Sequence, residues 1–181
     1  LAKTEDVTVV ASAGPGAKDY EVRDNVKIYR FSYFYPKRLQ KLTYSGGMRE
    51  SFKHEFLPKI QVPFFMLSFL IKSLKIARKC DVINAHWTLS GLAAIPLKIF
   101  YRKPIVLTEH GGSIRGLPKW LNKFVFKRMN MITSAHNDVI KSIKGMGITN
   151  VADIKNFLDE DKFLKKHDIK SITKKLPKKT L

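Results

Sequence analysis

Two short β-branched runs, each closed by a histidine and separated by one helix length, constrain this chain more than any other feature. The first is Asp81-Val82-Ile83-Asn84-Ala85-His86-Trp87. The second is Pro104-Ile105-Val106-Leu107-Thr108-Glu109-His110, followed directly by Gly111-Gly112. Residues 89–101 between them are mostly apolar. Short apolar runs bounded by a charge or a proline are the pattern of buried strands. A strand, a helix and a strand in one sheet make a parallel pair, because the crossover returns the chain to the same starting edge. Both histidines then fall at C-terminal strand ends, where an open α/β sheet binds ligands.

The same alternation runs along most of the chain. Residues 7–11 read as a buried strand ending in the turn Gly14-Pro15-Gly16, and residues 26–31 read as a second strand. Residues 32–58 lack a period and read as a long loop with room for one short helix, the kind of connection that is usually functional or mobile. Residues 63–79 read as a helix with Phe64, Phe65, Leu67, Leu70, Ile71 and Leu74 turned inward. Lys72, Lys75, Arg78 and Lys79 come late in it, where cations suit the helix dipole. Then follow strand 81–85, helix 89–101, strand 104–108, helix 118–129 with Trp120, Leu121, Phe124 and Val125 on one face, and strand 131–134. Helix 137–146, with His136 or Asn137 as N-cap and Gly147 as its stop, leads to strand 151–154.

The expected fold class is therefore α/β: a Rossmann-like, doubly wound parallel sheet with helices on both faces. One element is missing from it. Such a sheet opens with a central strand and a glycine-rich phosphate loop, whereas Leu1-Ala2-Lys3 reads as the tail of a helix leading into strand 7–11. The expectation is a gap between strands 7–11 and 81–85, whose unpaired edges invite self-association.

Composition narrows the partners. The 181 residues fit one ordinary domain. The single cysteine, Cys80, excludes an intrachain disulfide and suits a reducing compartment. No secretory signal opens the chain. The longest apolar run, residues 62–71, is broken by Pro63 and Ser68 and is too short to span a bilayer. The leucine at position 1 and the lysine-rich ending read as cut ends; residues 162–181 hold eight lysines against one aspartate. A net charge of +19, from 34 Lys and Arg against 15 Asp and Glu, favours an anionic partner: nucleic acid, a membrane surface or a phosphorylated substrate. A nucleic-acid module calls for aromatic platforms on strands or a groove-binding motif. The aromatics here fall in helices and loops.

Five stretches together resemble family 4 (group 1) glycosyltransferases. Asp81-Val-Ile-Asn-Ala-His86 resembles that family's strand end DVIHAH, and Pro104 to Gly111 resembles its P-x-V-x-T-x-H-G element. Residues 132–148 look like VIAVSEALKEELLALGI, residues 154–163 look like IPNGVDLERF, and Tyr44-Ser-Gly46-Gly47-Met48 is similar to a loop of some members. Three positions depart from the pattern: Asn84 stands where a histidine is usual, His136 where a capping serine is, and Phe157 where a glycine is. The resemblance implies the two-lobed GT-B fold. Residues 1–157 would be its N-terminal, acceptor-binding lobe, and 158–181 a basic linker to a C-terminal lobe outside this sequence.

The implied function is a retaining transfer of sugar from a nucleotide-sugar donor to a glycan or lipid-linked acceptor. The donor, held mainly by the C-terminal lobe, is the only cofactor-like group implied, and this lobe alone would bind none and be inactive. The resemblance places a cytoplasmic enzyme, with peripheral attachment to an anionic membrane surface as an option. The leading reading expects no nucleic-acid partner; two alternatives to it stay open, a basic nucleic-acid-binding module and a phosphosugar epimerase of similar fold, for which Glu109 is the one candidate carboxylate.

Individual residues carry the chemistry. His110, before a glycine pair, would hydrogen-bond the transferring sugar or its leaving phosphate, as the resembling histidine does, and is the catalytic candidate. Gly111 and Gly112 would let backbone approach the ligand closely. His86 would orient a hydroxyl and Trp87 would stack on a sugar or headgroup. Ser113 and Arg115 extend the loop towards phosphate. Tyr44, Gly46, Gly47 and Arg49, with Arg38, Lys41 and Lys53 nearby, would hold an anionic acceptor. Asn156 and Asp159 would fix the turn towards the second lobe. Two histidines without a third ligand make no metal site. The contiguous Phe64-Phe65-Met66, beside basic loops, would suit membrane docking.

Overall fold

A computed structural model of the chain describes residues 2–43 and 56–155. The Tyr44–Arg49 loop, Asn156, Asp159 and the basic tail lie outside the described residues. Among the described residues seven strands and five α-helices follow in order: β1 (Thr8–Ser12), β2 (Tyr20–Arg23), β3 (Val26–Phe31), α1 (Leu57–Ala77), β4 (Ile83–His86), α2 (Trp87–Tyr101), β5 (Ile105–Thr108), α3 (Gly112–Gly116), α4 (Lys119–Phe126), β6 (Met131–Ser134), α5 (Asn137–Lys144) and β7 (Val151–Asp153). Among the described residues of the long connection, Lys37–Leu39 form a 3-10 turn.

Strands β4, β5, β6 and β7 form one sheet in that order, all parallel, with Ala85 opposite Leu107, Leu107 opposite Ile132 and Ile132 opposite Val151. A parallel strand is covered on both faces, and Ile105, Leu107 and Ile132 have no exposed surface. They anchor a core with Leu97, Val125, Phe126, Val139 and Ile143 drawn from three helices. Where helix α2 crosses β5, a Cβ on Gly91 would meet Val125 Cγ1 at 2.9 Å and Leu107 Cδ1 at 3.1 Å. The glycine sets how closely the helix approaches the sheet.

The other strands form a second, separate sheet. β1 pairs with β3 in parallel, and β3 with β2, in the order β1-β3-β2. Among the described residues, the outer edge of β1 and the outer edge of β4 have no strand partner. This is the anticipated gap between the strands near 7–11 and 81–85. β2 is an addition: it runs antiparallel to β3 through a two-residue turn at Asp24 (φ 49°) and Asn25 (φ 63°). Both left-handed residues match the right-handed twist of the strands, and aspartate and asparagine tolerate that conformation.

Helix α1 joins the two sheets. Its Leu70, Leu74 and Ala77 reach the main core. Its Phe65 sits in a second, aromatic core with Phe31, Tyr33 and Leu42, edge-on to Phe31 at 5.2 Å between ring centres. Buried Gln61 pins the loop to the helix: its Oε1 accepts from the Lys41 and Leu42 amides, and its Nε2 donates to the Leu39 carbonyl at 2.6 Å.

Three expectations for the helices change. α1 starts six residues early and runs through Pro63. At 21 residues it is long and apolar enough by length and composition to cross a membrane, unlike the short contiguous run inside it. Phe64, Leu67 and Ile71 are exposed, not inward, because the helix turns Gln61, Phe65, Ser73 and Ala77 towards the domain. In α4, Trp120 is 70% exposed and Phe124 40%, while Asn122, Val125 and Phe126 are buried; the inward face is one residue round from the expected stripe.

Truncating the central strand should cost most. Leu107→Ala is expected to lower unfolding free energy by about 2–5 kcal/mol, through lost transfer energy and the cavity left behind. Urea unfolding followed by circular dichroism measures it. A change below about 1 kcal/mol would show that β5 is not the packing centre.

Candidate active site

The parallel ladder brings the C-terminal ends of β4 and β5 side by side, with His86 opposite Thr108. His110 follows two residues beyond β5. Nδ1 of His86 lies 3.0 Å from Nε2 of His110. The two rings are 7° from parallel, with centres 5.4 Å apart. That separation is about the nitrogen–nitrogen distance plus the two ring radii. The rings are therefore edge to edge and nearly coplanar, with the nitrogens aimed at each other: an N–H···N hydrogen bond and not a face-to-face stack. A metal held between two collinear nitrogens would need them about 4 Å apart. Among the described residues, no group of three potential ligands could hold a metal ion.

Trp87 opens α2 with a left-handed backbone, φ 66°. A bulky residue there stores about 1–3 kcal/mol of strain and persists only where its surroundings over-determine it. Its indole meets the His110 ring edge-on at 6.0 Å and is 55% exposed. The sequence brought His86, Trp87 and His110 forward separately; the fold makes them one exposed rim.

Beneath the rim lies a buried polar layer. Glu109 has no exposed surface. Its Oε1 accepts the Gly111 amide at 3.2 Å, and its Oε2 lies 3.4 Å from the Thr88 hydroxyl. Thr88 Oγ1 donates to Asn122 Oδ1 at 2.7 Å, and the Thr88 amide donates to Ser113 Oγ at 3.1 Å. Asn122 Nδ2 donates to the Ser113 carbonyl at 3.2 Å. These bonds tie the first turn of α2, the glycine loop and α4 together. Burial pushes the Glu109 carboxyl up from its ordinary value, only partly opposed by hydrogen bonds from Gly111, Ser113 and Thr88.

Several expected site residues take other duties. Ser113 is buried and its hydroxyl accepts from Thr88, so it faces the interior and not a phosphate. Gly111 is required by packing: φ is 87°, and a Cβ would meet Val139 Cγ2 at 2.9 Å. Gly112 has open space around the place of a Cβ. Arg115 is exposed and 3.6 Å from Asp138 of α5. Tyr44, Gly46, Gly47 and Arg49, expected to hold the acceptor, lie outside the described residues. Thr88 and Asn122 are the residues that sequence reasoning missed. The signal for Asn122 was an amide one turn before Val125 and Phe126 on a helix. Thr88 carried none, since its partners are 21 and 34 residues away. Glu109, turned inward and sealed, has lost the role of an acid–base carboxylate on a sugar, which removes the basis of the epimerase alternative.

A parallel sheet flanked by helices is a Rossmann-like α/β arrangement. Residues 1–162 match the family profile Glycosyltransferase Family 4, and the chain belongs to that family as a glycosyltransferase N-terminal domain. Two solved structures of sucrose-phosphate synthase from Thermosynechococcus elongatus share the fold. One is 15% identical, with TM-score 0.56, covering 90% of this chain and 82% of the other. The second is 14% identical, with TM-score 0.60, covering 88% of this chain and 40% of the other. No match was found among curated protein sequences.

Glu109 supplies a pH-dependent test. An acid whose folded pKa is raised binds its proton more tightly when folded, so its contribution is fully present below the unfolded value and is lost as pH rises through the folded one. Glu109→Gln keeps the acceptor for Gly111 without burying a charge. It is expected to melt at or above the wild-type temperature at pH 8, and to flatten the fall in stability above about pH 4.3. Glu109→Ala, which strands the Gly111 amide, should cost about 1–3 kcal/mol. Thermal melts from pH 4 to 8 measure both; a Gln variant less stable than wild type at pH 8 would mean that the charge itself is held favourably.

Proposed function

We propose that this chain is the acceptor-binding lobe of a retaining glycosyltransferase that moves a sugar from a nucleotide-sugar to a glycan or lipid-linked acceptor. The observation that carries the reading is His110, held at the C-terminal end of the central β5 by the left-handed Gly111 turn and by the His86 ring. There an imidazole can donate to the transferring sugar or to the departing phosphate oxygen, while the C-terminal lobe presents the donor nucleotide. Trp87, exposed beside it, offers a flat apolar face to a sugar ring. A recess lined by the Ala13–Ala17 turn, Lys37, Arg38 and Gln40 lies at the end of β1 and offers cations to an anionic acceptor. This lobe by itself would be inactive, since the donor sits on the other. In the enzyme carrying both lobes, His110→Ala is expected to lower kcat by about 10²–10³-fold, the usual effect of deleting one positioned donor, with circular dichroism unchanged. A wild-type rate would retire His110 to a structural role.

A second observation favours peripheral attachment to an anionic membrane. Phe56, Ile60, Phe64, Leu67 and Ile71 are exposed along one side of α1, with Lys59 and Lys75 on the same side. This replaces the Phe64-Phe65-Met66 cluster, because Phe65 is buried in the aromatic core. The helix would lie on the surface and not across it, since its Gln61 side is committed to the domain. Cysteine usage fits a cytoplasmic enzyme so attached. Vesicles containing phosphatidylserine are expected to bind the chain, each cation near the surface adding about 1 kcal/mol, with weaker binding as salt rises. Phe64→Ser with Leu67→Ser should reduce binding at every salt concentration; unchanged binding would leave charge alone as the cause. The open edges of β1 and β4 support pairing with a strand of another copy as a further property of this lobe.

A further inference from the structure

The His86–His110 bond has a consequence for how protons and ligands meet this site. A neutral imidazole carries one N–H and one bare nitrogen. With Nδ1 of His86 and Nε2 of His110 aimed at each other at 3.0 Å, one ring donates and the other accepts. If His86 Nδ1 holds the bridging proton, His110 must carry its own on Nδ1, and His86 Nε2 is left bare. If His110 Nε2 holds it, the assignments reverse. In both arrangements the pair shows the outside one donor and one acceptor, on different rings.

We propose that His86 and His110 act as one proton-sharing unit, with His86 the positioning residue that fixes which nitrogen of His110 faces the ligand. The two arrangements interconvert by a balanced relay. A proton arriving at the bare Nε2 of His86 lets the bridging proton move from His86 Nδ1 to His110 Nε2, and His110 Nδ1 then releases its own proton. No proton is gained or lost overall, and none need pass through solvent. The unit can therefore take a proton from a hydroxyl at one ring and deliver one to an oxygen at the other, as exchange of an acceptor hydroxyl for a leaving phosphate requires. That consequence rests on the sugar-transfer reading; the bridge itself rests on the ring geometry alone.

The surroundings leave the pair to itself. On β4 and α2 the neighbour is Trp87, which does not titrate. On the β5 loop, Glu109 is buried and pushed towards its neutral form, and Arg115 is beside Asp138 of α5. His136 stands at the end of β6. Partial burial, and next the charge of His110, hold His86 below the ordinary imidazole range.

Ring-nitrogen NMR of the ¹⁵N-labelled chain tests this without substrate, with resonances assigned from single histidine substitutions. Near neutral pH the two rings are expected to share one tautomer ratio, both Nδ1–H in one arrangement and both Nε2–H in the other, with a protected bridging N–H. His86→Phe removes the bridge, so the protected N–H should be lost and His110 should take the tautomer mixture of a free imidazole. His86→Asp, whose carboxylate can only accept, should hold His110 with its proton on Nε2, and it serves as well if the Phe variant fails to fold. Unequal tautomer ratios of the two rings in the wild type, an unprotected bridging N–H, or His110 without its proton on Nε2 in the Asp variant would overturn the proposal. Full activity in His110→Ala would remove the sugar-transfer reading and leave these spectra unchanged, so the two failures are distinguishable.

Discussion

Glu109 has no surface exposure, yet it stands where the start of α2, the glycine loop and α4 converge. A carboxyl taken out of water is tolerated only when its oxygens are occupied, and here they meet the Gly111 amide, Ser113 and the Thr88 hydroxyl. Thr88 and Asn122 extend the bonding sideways, and no buried side-chain polar atom among the described residues lacks a partner. A fully satisfied polar layer of this kind fixes one arrangement of its elements, because every alternative strands a buried donor or acceptor. The rim above inherits that rigidity. His86 and Trp87 leave the same turn that Thr88 anchors, and His110 leaves the same turn that Glu109 anchors.

The layer can do this only because the sheet has already aligned the two strand ends. In a parallel ladder the register of β4 on β5 sets His86 beside Thr108, and the next two residues carry the chain to His110. The register follows from the buried side chains: a slip of one residue would turn Leu107 and Ile105 towards the other face. The ladder continues past β5 through the Glu109 amide, which donates to the Thr133 carbonyl at 2.8 Å. Glu109 is thus held by backbone on one side and by its side chain on the other.

The half of the domain around β1 and β3 is assembled differently. It has no strand contact with the main sheet among the described residues and is joined to it through α1. Aromatic packing of Phe31, Tyr33 and Phe65, with Gln61 and Gln40 satisfying loop amides, replaces the missing ladder. One side of α1 therefore serves two cores while the other keeps phenylalanine, isoleucine and leucine in contact with solvent. A surface that is both apolar and flanked by lysines is suited to an anionic, partly apolar partner more than to water alone.

The local sequence determined the strands, their order along the chain and the placing of His86 and His110 at strand ends. β-branched runs bounded by charges and prolines encode those features within a few residues. It also determined the family, because several short elements recur in order. The hairpin strand β2 was legible in principle from Asp24-Asn25, a turn signal with a mechanism. The pairing of His86 with His110, the burial of Glu109 and the service of Ser113 to Thr88 were not legible, because each joins residues two dozen or so positions apart. Which side of α1 faces the domain was hidden for a related reason: both sides are apolar, so periodicity carries no preference. Only the meeting of α1 with two cores decides it, as only tertiary contact decides whether a histidine, a serine or a carboxylate at a strand end looks outward to a ligand or inward to its neighbours.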